Sequence, residues 1–274
     1  MRANEWLQRL DRAALGRAIL GAAAIMYGIS CFLQGDFASF WQPVPEGLPY
    51  RSGFAFLSAG LHVLAGLGLL TARTMRPSAM FVIVLFALFA VCYVIVLVGP
   101  PVQPTALMGI AENLSVVVGA WAILLCMSER GRSGPTIARI TFGVCSLIFG
   151  LAHFIGRVPT ANMVPEWMPG GQMFWALATG VGHIAVGLGL IANRFAVPAT
   201  RLGALMYCCF VLFAWLPGAF THPTEWLRWA GASISLCMAG ALWAVGDLLA
   251  ARKRESGSPG QRSGEVGGGA SAAN

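Results

Sequence analysis

The chain alternates between long apolar runs and short segments that hold most of its charged residues, prolines and turns. Eight apolar runs of about 19 to 25 residues are each long enough to cross a hydrocarbon core of about 30 Å as a helix. They cover residues 13–33, 52–71, 78–98, 106–126, 137–155, 171–192, 198–220 and 226–250. A helix satisfies its backbone hydrogen bonds internally, as lipid requires. The pattern therefore predicts an all-α membrane protein with eight transmembrane helices.

Two of these runs contain near copies of one segment. The segments are Ser58–Arg73 and Thr179–Arg194, about 121 residues apart. Arg17 and Gly28 match Arg139 and Gly150 in the same way, at an offset of 122 residues. Internal similarity at a fixed period indicates a duplicated structural unit.

The duplication predicts how the chain is divided. We predict two four-helix repeats, residues 1–128 and 129–250, that share one orientation and are related by a pseudo-two-fold axis along the membrane normal. Residues 251–274 are dominated by Gly, Ser and Ala beyond a short basic cluster, and they carry no apolar periodicity. We predict that they form a disordered cytoplasmic tail.

Composition agrees with a membrane protein and excludes an ordinary soluble domain. Hydrophobic residues make up 57% and charged residues 11% of the chain, against about 45 to 50% and about 25% in soluble domains. Of the 18 Lys and Arg residues, 15 lie in the N-terminal segment, the loops near 72–77, 127–139 and 193–201, and the C-terminal tail. The positive-inside rule then places both termini in the cytoplasm, and an Arg-rich cytoplasmic face suits a bacterial inner (plasma) membrane. The net charge of +7 thus reflects topology, and the predicted partner is the lipid bilayer rather than nucleic acid.

Each copied segment carries one histidine, His62 or His183. Ala59 and Gly66 share a helix face with His62, and small residues recur at the matching positions around His183. Small residues mark close helix packing in membranes, so we predict that both histidines face the protein interior. A neutral histidine bonded to a neighbouring helix, proton transfer, quinone contact and metal or haem ligation all remain open for these two residues.

Glu112 is the only acid well inside a predicted span. A carboxylate at the centre of the bilayer costs about 2.5 to 3.5 kcal/mol on insertion scales, so Glu112 is expected to face a partner or a cavity, unless it lies nearer the outer end than the spans suggest. The second repeat has no acid in the corresponding region, Gly231 to Ile234. Any chemistry that needs Glu112 therefore belongs to one half only.

The cysteines and the outer loops add two weaker patterns. The seven cysteines include no Cys-x-x-Cys pair, so the sequence predicts neither a metal site nor a disulfide framework. Cys31 stands where the second repeat has His153. The outer loops share the pattern Pro-Glu-x-x-Pro at Pro45–Pro49 and Pro165–Pro169, which is consistent with a plain interfacial turn or with a segment folded back over each bundle.

Four stretches of the second repeat resemble the DoxX-like family of small membrane proteins. They are Gly150–Phe154, Met163–Pro169, Phe174–Gly180 and Gly182–Gly189, and Ala111–Leu114 is similar to that family's last-helix pattern. The resemblance implies a four-helix unit, present here as two fused copies. It also implies an association, in some members, with thiosulfate or sulfide oxidation that delivers electrons to quinone, and in others with oxidative-stress assemblies.

Two classes of function remain open, and whether the chain is an enzyme is open with them. In the first, it is the membrane subunit of a quinone-linked redox system, with Glu112 and His183 as catalytic candidates. The candidate quinone- or substrate-binding residues are His62, His153, His183, Glu112 and Asn113. In the second, it is a small-solute transporter or a membrane scaffold for a soluble partner. Because the sequence has no flavin, dinucleotide or iron-sulfur fingerprint, a redox role would require a soluble or membrane partner that carries the redox centre.

Overall fold

The computed structural model of the protein describes residues 13–101, 103, 105–128 and 133–257. These residues form helices and contain no strand, and eight of the helical segments are long and apolar enough to cross a membrane. Seven of them are single helices: α1 (Ala14–Gln34), α2 (Arg51–Leu70), α3 (Met75–Val98), α4 (Ala106–Cys126), α5 (Ser133–Ile155), α7 (Gln172–Ile191) and α10 (Trp226–Gly257). The eighth is the continuous segment Ala196–Thr221, which consists of α8 (Ala196–Cys209), a π-helical turn (Phe210–Trp215) and α9 (Leu216–Thr221). A short helix, α6 (Arg157–Asn162), follows α5. The predicted all-α membrane fold is confirmed.

The helix ends lie within a few residues of the predicted spans, except at the C-terminus. The helix α10 continues to Gly257, so residues 251–257 are helical rather than part of a disordered tail. Alanine, arginine and lysine favour helix here, and Arg252 forms an i,i+3 ion pair with Glu255 at 3.3 Å. The rest of the predicted tail, 258–274, and the basic residues in 1–12 and 129–132 lie outside the described residues.

Successive spanning helices run in opposite directions, so the loops divide into two groups. We call one end of the bundle the Trp41 end, which carries the loops 35–50, 99–105, 156–171 and 222–225, and the other the Arg17 end. We call α1–α4 the first half and α5–α10 the second half. The helices α4 and α10 are the most buried, and they pack against each other at the centre of the molecule. The helix α10 also packs against α1, and α4 also packs against α5, so each half completes the other.

The first two spanning helices of each half pack through glycines that face one another. A Cβ atom on Gly21 would lie 2.9 Å from the carbonyl oxygen of Gly66, and a Cβ atom on Gly66 would lie 2.6 Å from that of Gly21. Gly143 and Gly187 make the same reciprocal contact between α5 and α7, at 3.1 and 2.8 Å. The backbones therefore approach closely at matching positions in both halves, as small residues allow in membrane helices.

A second contact recurs at the Arg17 end. The guanidinium group of Arg17 donates to the carbonyl oxygen of Leu69 at the end of α2. Arg139 donates to the carbonyl oxygens of Leu190 and Ile191 at the end of α7. The last carbonyls of a helix have no partner within the helix, so each arginine from the first helix of a half satisfies the end of the second.

The halves differ in their third spanning segment. In the second half α8 continues into the π-helical turn Phe210–Trp215, whereas α3 of the first half is α-helical throughout. Phe89 in α3 matches Phe210 at an offset of 121 residues, whereas Tyr93 matches Trp215 at an offset of 122. The Tyr93 ring lies against Gly109 of α4, and the Trp215 ring lies against Gly231 of α10, 122 residues after Gly109. The contacts on both sides of the turn are thus preserved. The π turn absorbs one extra residue, as π bulges do inside α-helices.

Candidate functional site

The second half contains a cavity of about 630 Å³, which is within the usual range for small-molecule sites. Its walls come from α5, α7, α8, the π turn and α10, together with α4 and the loop 35–50 of the first half. Aromatic and methionine side chains form much of the wall: Phe40, Trp41, Phe149, Trp175, Tyr207, Phe210, Phe213, Trp215, Met108, Met163, Met168, Met206 and Met238. The site is therefore a predominantly apolar cavity that both halves build.

Two histidines stand side by side in this cavity. The ring centroids of His153 on α5 and His183 on α7 are 4.9 Å apart. Nδ1 of His153 lies 2.8 Å from the carbonyl oxygen of Phe149. Since a carbonyl oxygen only accepts, Nδ1 of the neutral ring carries the proton, and Nε2 is left as an acceptor. His183 is 2% exposed and makes no hydrogen bond to the residues that the structure describes.

Glu112 reaches the same cavity from α4 of the first half. Its Oε2 atom is buried and has no hydrogen-bond partner among the described residues. The indole of Trp41 approaches this carboxyl group, but the two do not meet the geometry of a hydrogen bond, and Nε1 of Trp41 is also buried without a partner. Glu112 therefore faces a cavity, and the carboxyl group belongs to a site in the other half.

Hydrogen bonding divides the polar side chains of the cavity into two sets. Ten of the lining side chains carry a nitrogen or an oxygen atom. Six of them bond to the protein: His153, Thr160, Trp175, Thr179, Trp215 and Ser235. Four make no hydrogen bond to the described part of the chain: Trp41, Glu112, His183 and Tyr207. Trp41, Glu112 and Tyr207 each hold a polar atom that is buried without a partner, which is costly, so a ligand would satisfy these groups. His183 also lines the cavity.

Comparison with known proteins adds no assignment. No protein-family model, no curated protein and no solved structure matches the chain. A functional assignment therefore depends on the geometry of the cavity and on the motifs in the sequence.

The structure brings together three of the five predicted site residues. Glu112, His153 and His183 line the cavity. His62 is buried in the first half, where Nδ1 bonds to the Ser58 carbonyl oxygen at 2.7 Å, and it does not line the cavity. Asn113 is buried and has a structural contact instead, because its amide donates to the carbonyl oxygens of Trp41 and Gly109 at 3.2 and 2.9 Å.

Two polar members of the site, Trp41 and Tyr207, were not among the predicted site residues. Trp41 lies in a loop, and its position depends on the bond from Asn113 to its carbonyl oxygen and on an edge-on contact with Trp215 at 6.1 Å. Tyr207 stands where the first half has Phe86. That exchange of an apolar ring for a polar one within the repeat is a signal that could have indicated Tyr207.

The two Pro-Glu-x-x-Pro loops form similar turns, but only the second Pro-Glu-x-x-Pro segment lines the cavity. The backbone N–H of Leu48 donates to the Pro45 carbonyl oxygen at 3.2 Å, and Met168 donates to Pro165 at 3.1 Å. The second loop is tied down by Gln172, whose amide donates to the Val164 carbonyl oxygen at 2.6 Å. Val164, Pro165 and Met168 also line the cavity. The second Pro-Glu-x-x-Pro segment thus folds over the Trp41 end of the site.

The donor set favours an organic ligand. Among the residues that the structure describes, no group of three or more His, Cys, Asp or Glu side chains could hold a metal ion. The cavity offers aromatic faces, one N–H donor from Trp41, one hydroxyl from Tyr207, an imidazole and a carboxyl group. Such a lining fits a neutral, planar, apolar ring with hydrogen-bonding oxygens.

Proposed function

We propose that this integral membrane protein is of the DoxX-like type and that it binds a quinone in the cavity between His183 and Glu112. Its role is that of the membrane subunit of a quinone-linked redox system. The observation that carries the proposal is a set of three buried polar atoms without a partner, on Trp41, Glu112 and Tyr207, which line a predominantly apolar cavity together with His183.

The chemistry of a quinone complements this set. A quinone has a flat apolar ring, which suits the aromatic wall, and two carbonyl oxygens that accept hydrogen bonds. The Trp41 N–H and the Tyr207 O–H are donors without an acceptor, and each unmet group costs about 1 to 3 kcal/mol when buried. His183 and Glu112 can accept from the hydroxyls of the reduced form, the quinol. The same cavity therefore offers partners to both redox states of the ligand.

A partner protein completes the redox system. The sequence carries no flavin, dinucleotide or iron-sulfur fingerprint, so the electrons come from or pass to a protein that holds such a centre. This partner supplies or removes electrons, whereas the chain itself holds the quinone and exchanges protons at Glu112 and His183.

The proposal includes an orientation in the membrane. We place the Arg17 end in the cytoplasm of a bacterial inner membrane, because the basic residues concentrate there, and the Trp41 end on the opposite side. The cavity then opens towards the outer leaflet. The glycine and arginine contacts that recur at offsets of 121 and 122 residues support an origin of the two halves by duplication.

The test is direct binding of a short-chain benzoquinone to the purified protein, measured by isothermal titration in mild detergent, alongside mass spectrometry of copurified small molecules. We expect saturable binding. Tyr207→Phe removes one hydroxyl from the cavity and should weaken binding by about tenfold, which corresponds to about 1.4 kcal/mol.

Tyr27→Phe is the matched control for Tyr207→Phe. Both tyrosines are nearly completely buried and both hydroxyls lack a partner among the described residues, but Tyr27 does not line the cavity. Tyr27→Phe should therefore leave the affinity unchanged. Absence of saturable binding to the unmodified protein, or equal losses in the two variants, would contradict the quinone proposal. Substrate-dependent flux in vesicles without quinone binding would favour a transporter instead.

A further inference from the structure

The cavity reaches the lipid-facing surface of the molecule between α7 and α8. Leu202 and Leu205 on α8 line the cavity, and yet they are 67% and 59% exposed. Both leucines belong to a spanning helix, so the cavity is open at its side as well as at the Trp41 end, where Phe40 and Met163 also line it and are exposed. In an integral membrane protein, a side opening at mid-helix faces the acyl chains of the bilayer.

The opening has two edges, one on each helix. Leu202, Leu205, Met206 and Cys209 on α8 follow the spacing i, i+3, i+4, i+7 and form one stripe along the helix. Trp175, Ala178 and Thr179 form the facing stripe on α7, and His183 continues it one turn further along the helix. Apart from His183 the two edges carry no ionisable nitrogen or oxygen group. The passage from the lipid side to His183 is therefore lined largely by apolar groups.

The first half carries larger side chains at the corresponding positions of α2. Ala178 and Gly182 of α7 stand where α2 has Leu57 and Leu61. The nearest atom to a Cβ on Gly182 would be the thioether sulfur of Met206, at 3.0 Å, which is the end of a flexible side chain. Small residues on α7 thus leave room for the flexible Met206 side chain, whereas α2 carries two leucines at the matching positions.

We infer that this opening is a lateral portal and that the ligand carries a long apolar chain that leaves the cavity through it. The inference rests on the proposed quinone site and specifies its ligand as a membrane-dissolved, chain-bearing quinone. The head group lies at Trp41, Glu112, His183 and Tyr207. The chain passes between α7 and α8, along the edges that contain Ala178 and Leu205, into the bilayer. A water-soluble ligand would have no use for an apolar passage of this kind, because it gains nothing from contact with the acyl chains.

The portal can be closed by residues that the chain already uses in its first half. Ala178→Leu introduces the side chain found at Leu57, and Leu205→Trp adds bulk on the opposite edge. Val84→Trp is the matched control, because Val84 is the counterpart of Leu205 in the first half and is similarly exposed, at 63%. Leu205 and Val84 stand on lipid-facing surfaces, where an apolar replacement is tolerated, and Ala178 is half-buried at the edge of the opening.

The experiment compares two quinones that differ only in the chain. Binding of a quinone with a long isoprenoid chain is measured on protein in lipid nanodiscs, and binding of the chainless ring is measured in detergent. We expect the double variant Ala178→Leu/Leu205→Trp to weaken binding of the long-chain quinone by at least about tenfold. It should change binding of the chainless ring by less than about twofold. Val84→Trp should change neither.

The outcomes separate the portal from the function. If the double variant binds the long-chain quinone as tightly as the unmodified protein, the portal is wrong and the quinone site stands. If the unmodified protein binds neither quinone, while native mass spectrometry finds another chain-bearing lipid that the double variant loses, the quinone proposal is wrong and the portal stands. If the double variant loses both quinones equally, the substitutions have damaged the cavity itself and the portal is not supported.

Discussion

The two histidines of the repeat lie in nearly identical surroundings, and only one of them borders a cavity. Three aromatic rings surround each imidazole: Tyr27, Phe86 and Phe89 around His62, and Phe149, Tyr207 and Phe210 around His183. The ring centroids lie 5.2, 5.4 and 6.3 Å from His62 and 5.6, 5.4 and 5.9 Å from His183. The histidine and its aromatic cage therefore belong to the packing of each half, whether or not a ligand site is present.

The two halves differ in the residues that surround this histidine and its aromatic rings. In the first half Phe37 packs on Phe89 at 6.3 Å, and α2 carries leucines where α7 carries Ala178 and Gly182. In the second half His153 stands in place of Cys31, and the π turn supplies four side chains to the cavity wall. The repeated histidine is therefore part of the fold of each half, whereas the candidate site lies where the second half differs from the first. This difference suggests how to convert one half into the other.

The largest effect is expected from deletion of Leu212 in the π turn. Because the turn absorbs one extra residue, the deletion should return α8 to the continuous helix of α3 while Phe210 and Trp215 keep their contacts. Phe213 and Ala214 would then leave their places in the cavity wall. Quinone affinity should fall by at least about 100-fold, or about 2.8 kcal/mol, as measured by isothermal titration.

Deletion of Val91 is the control for this experiment. Val91 matches Leu212 and is equally exposed, at 56% against 55%, but α3 has no π turn to absorb the loss. This deletion should rotate the end of α3 and lower the thermal melting temperature, whereas deletion of Leu212 should not. Equal melting losses in the two variants would mean that the π turn is not a removable insertion.

A smaller effect, on stability and in both halves alike, is expected at the glycines between the first two spanning helices. A Cβ atom on Gly28 would lie 2.5 Å from the Ala59 carbonyl oxygen, and one on Gly150 would lie 2.5 Å from Cγ1 of Ile184. Gly28→Val and Gly150→Val should each destabilise the fold by about 1 to 3 kcal/mol through overpacking, seen as earlier thermal unfolding in detergent. Gly28→Val should cost more, because a backbone oxygen yields less than a side chain does. A loss confined to one half would break the equivalence of the two helix pairs.

The sequence predicted the helices well because lipid allows few alternatives. A run of about 20 apolar residues in a membrane has to satisfy its own backbone, so length and hydropathy fix each helix to within a few residues. The interior position of His62 and His183 was predicted correctly from their small neighbours, and both are nearly fully buried. The prediction that Glu112 faces a partner or a cavity was also correct, and it followed from the free-energy cost of placing a carboxylate inside the bilayer.

The rest of the site depends on features that a linear pattern does not contain. The π turn has the same apolar composition as the α-helix around it, and the inserted residue is visible only when the contacts of both halves are aligned. Trp41 reaches the cavity because its loop folds over α4, and Glu112 serves the second half because α4 packs against α10 and α5. These are long-range contacts between the halves, which the prediction of two fused four-helix repeats about a pseudo-two-fold axis did not specify.

Replacement of each histidine by phenylalanine tests the two aromatic cages directly and has the smallest expected effect. His183→Phe and His62→Phe keep an aromatic ring in each cage and remove only the nitrogens. His183→Phe should weaken quinone binding by about fivefold to tenfold, because the imidazole N–H, a donor available to a quinone carbonyl oxygen, is lost. His62→Phe should leave binding unchanged and cost about 1 kcal/mol of stability, because its Nδ1 bond to the Ser58 carbonyl oxygen disappears in a sealed core. If His62→Phe weakened binding as much as His183→Phe, the two cages would be coupled through α4 and α10, and the site would extend across both halves.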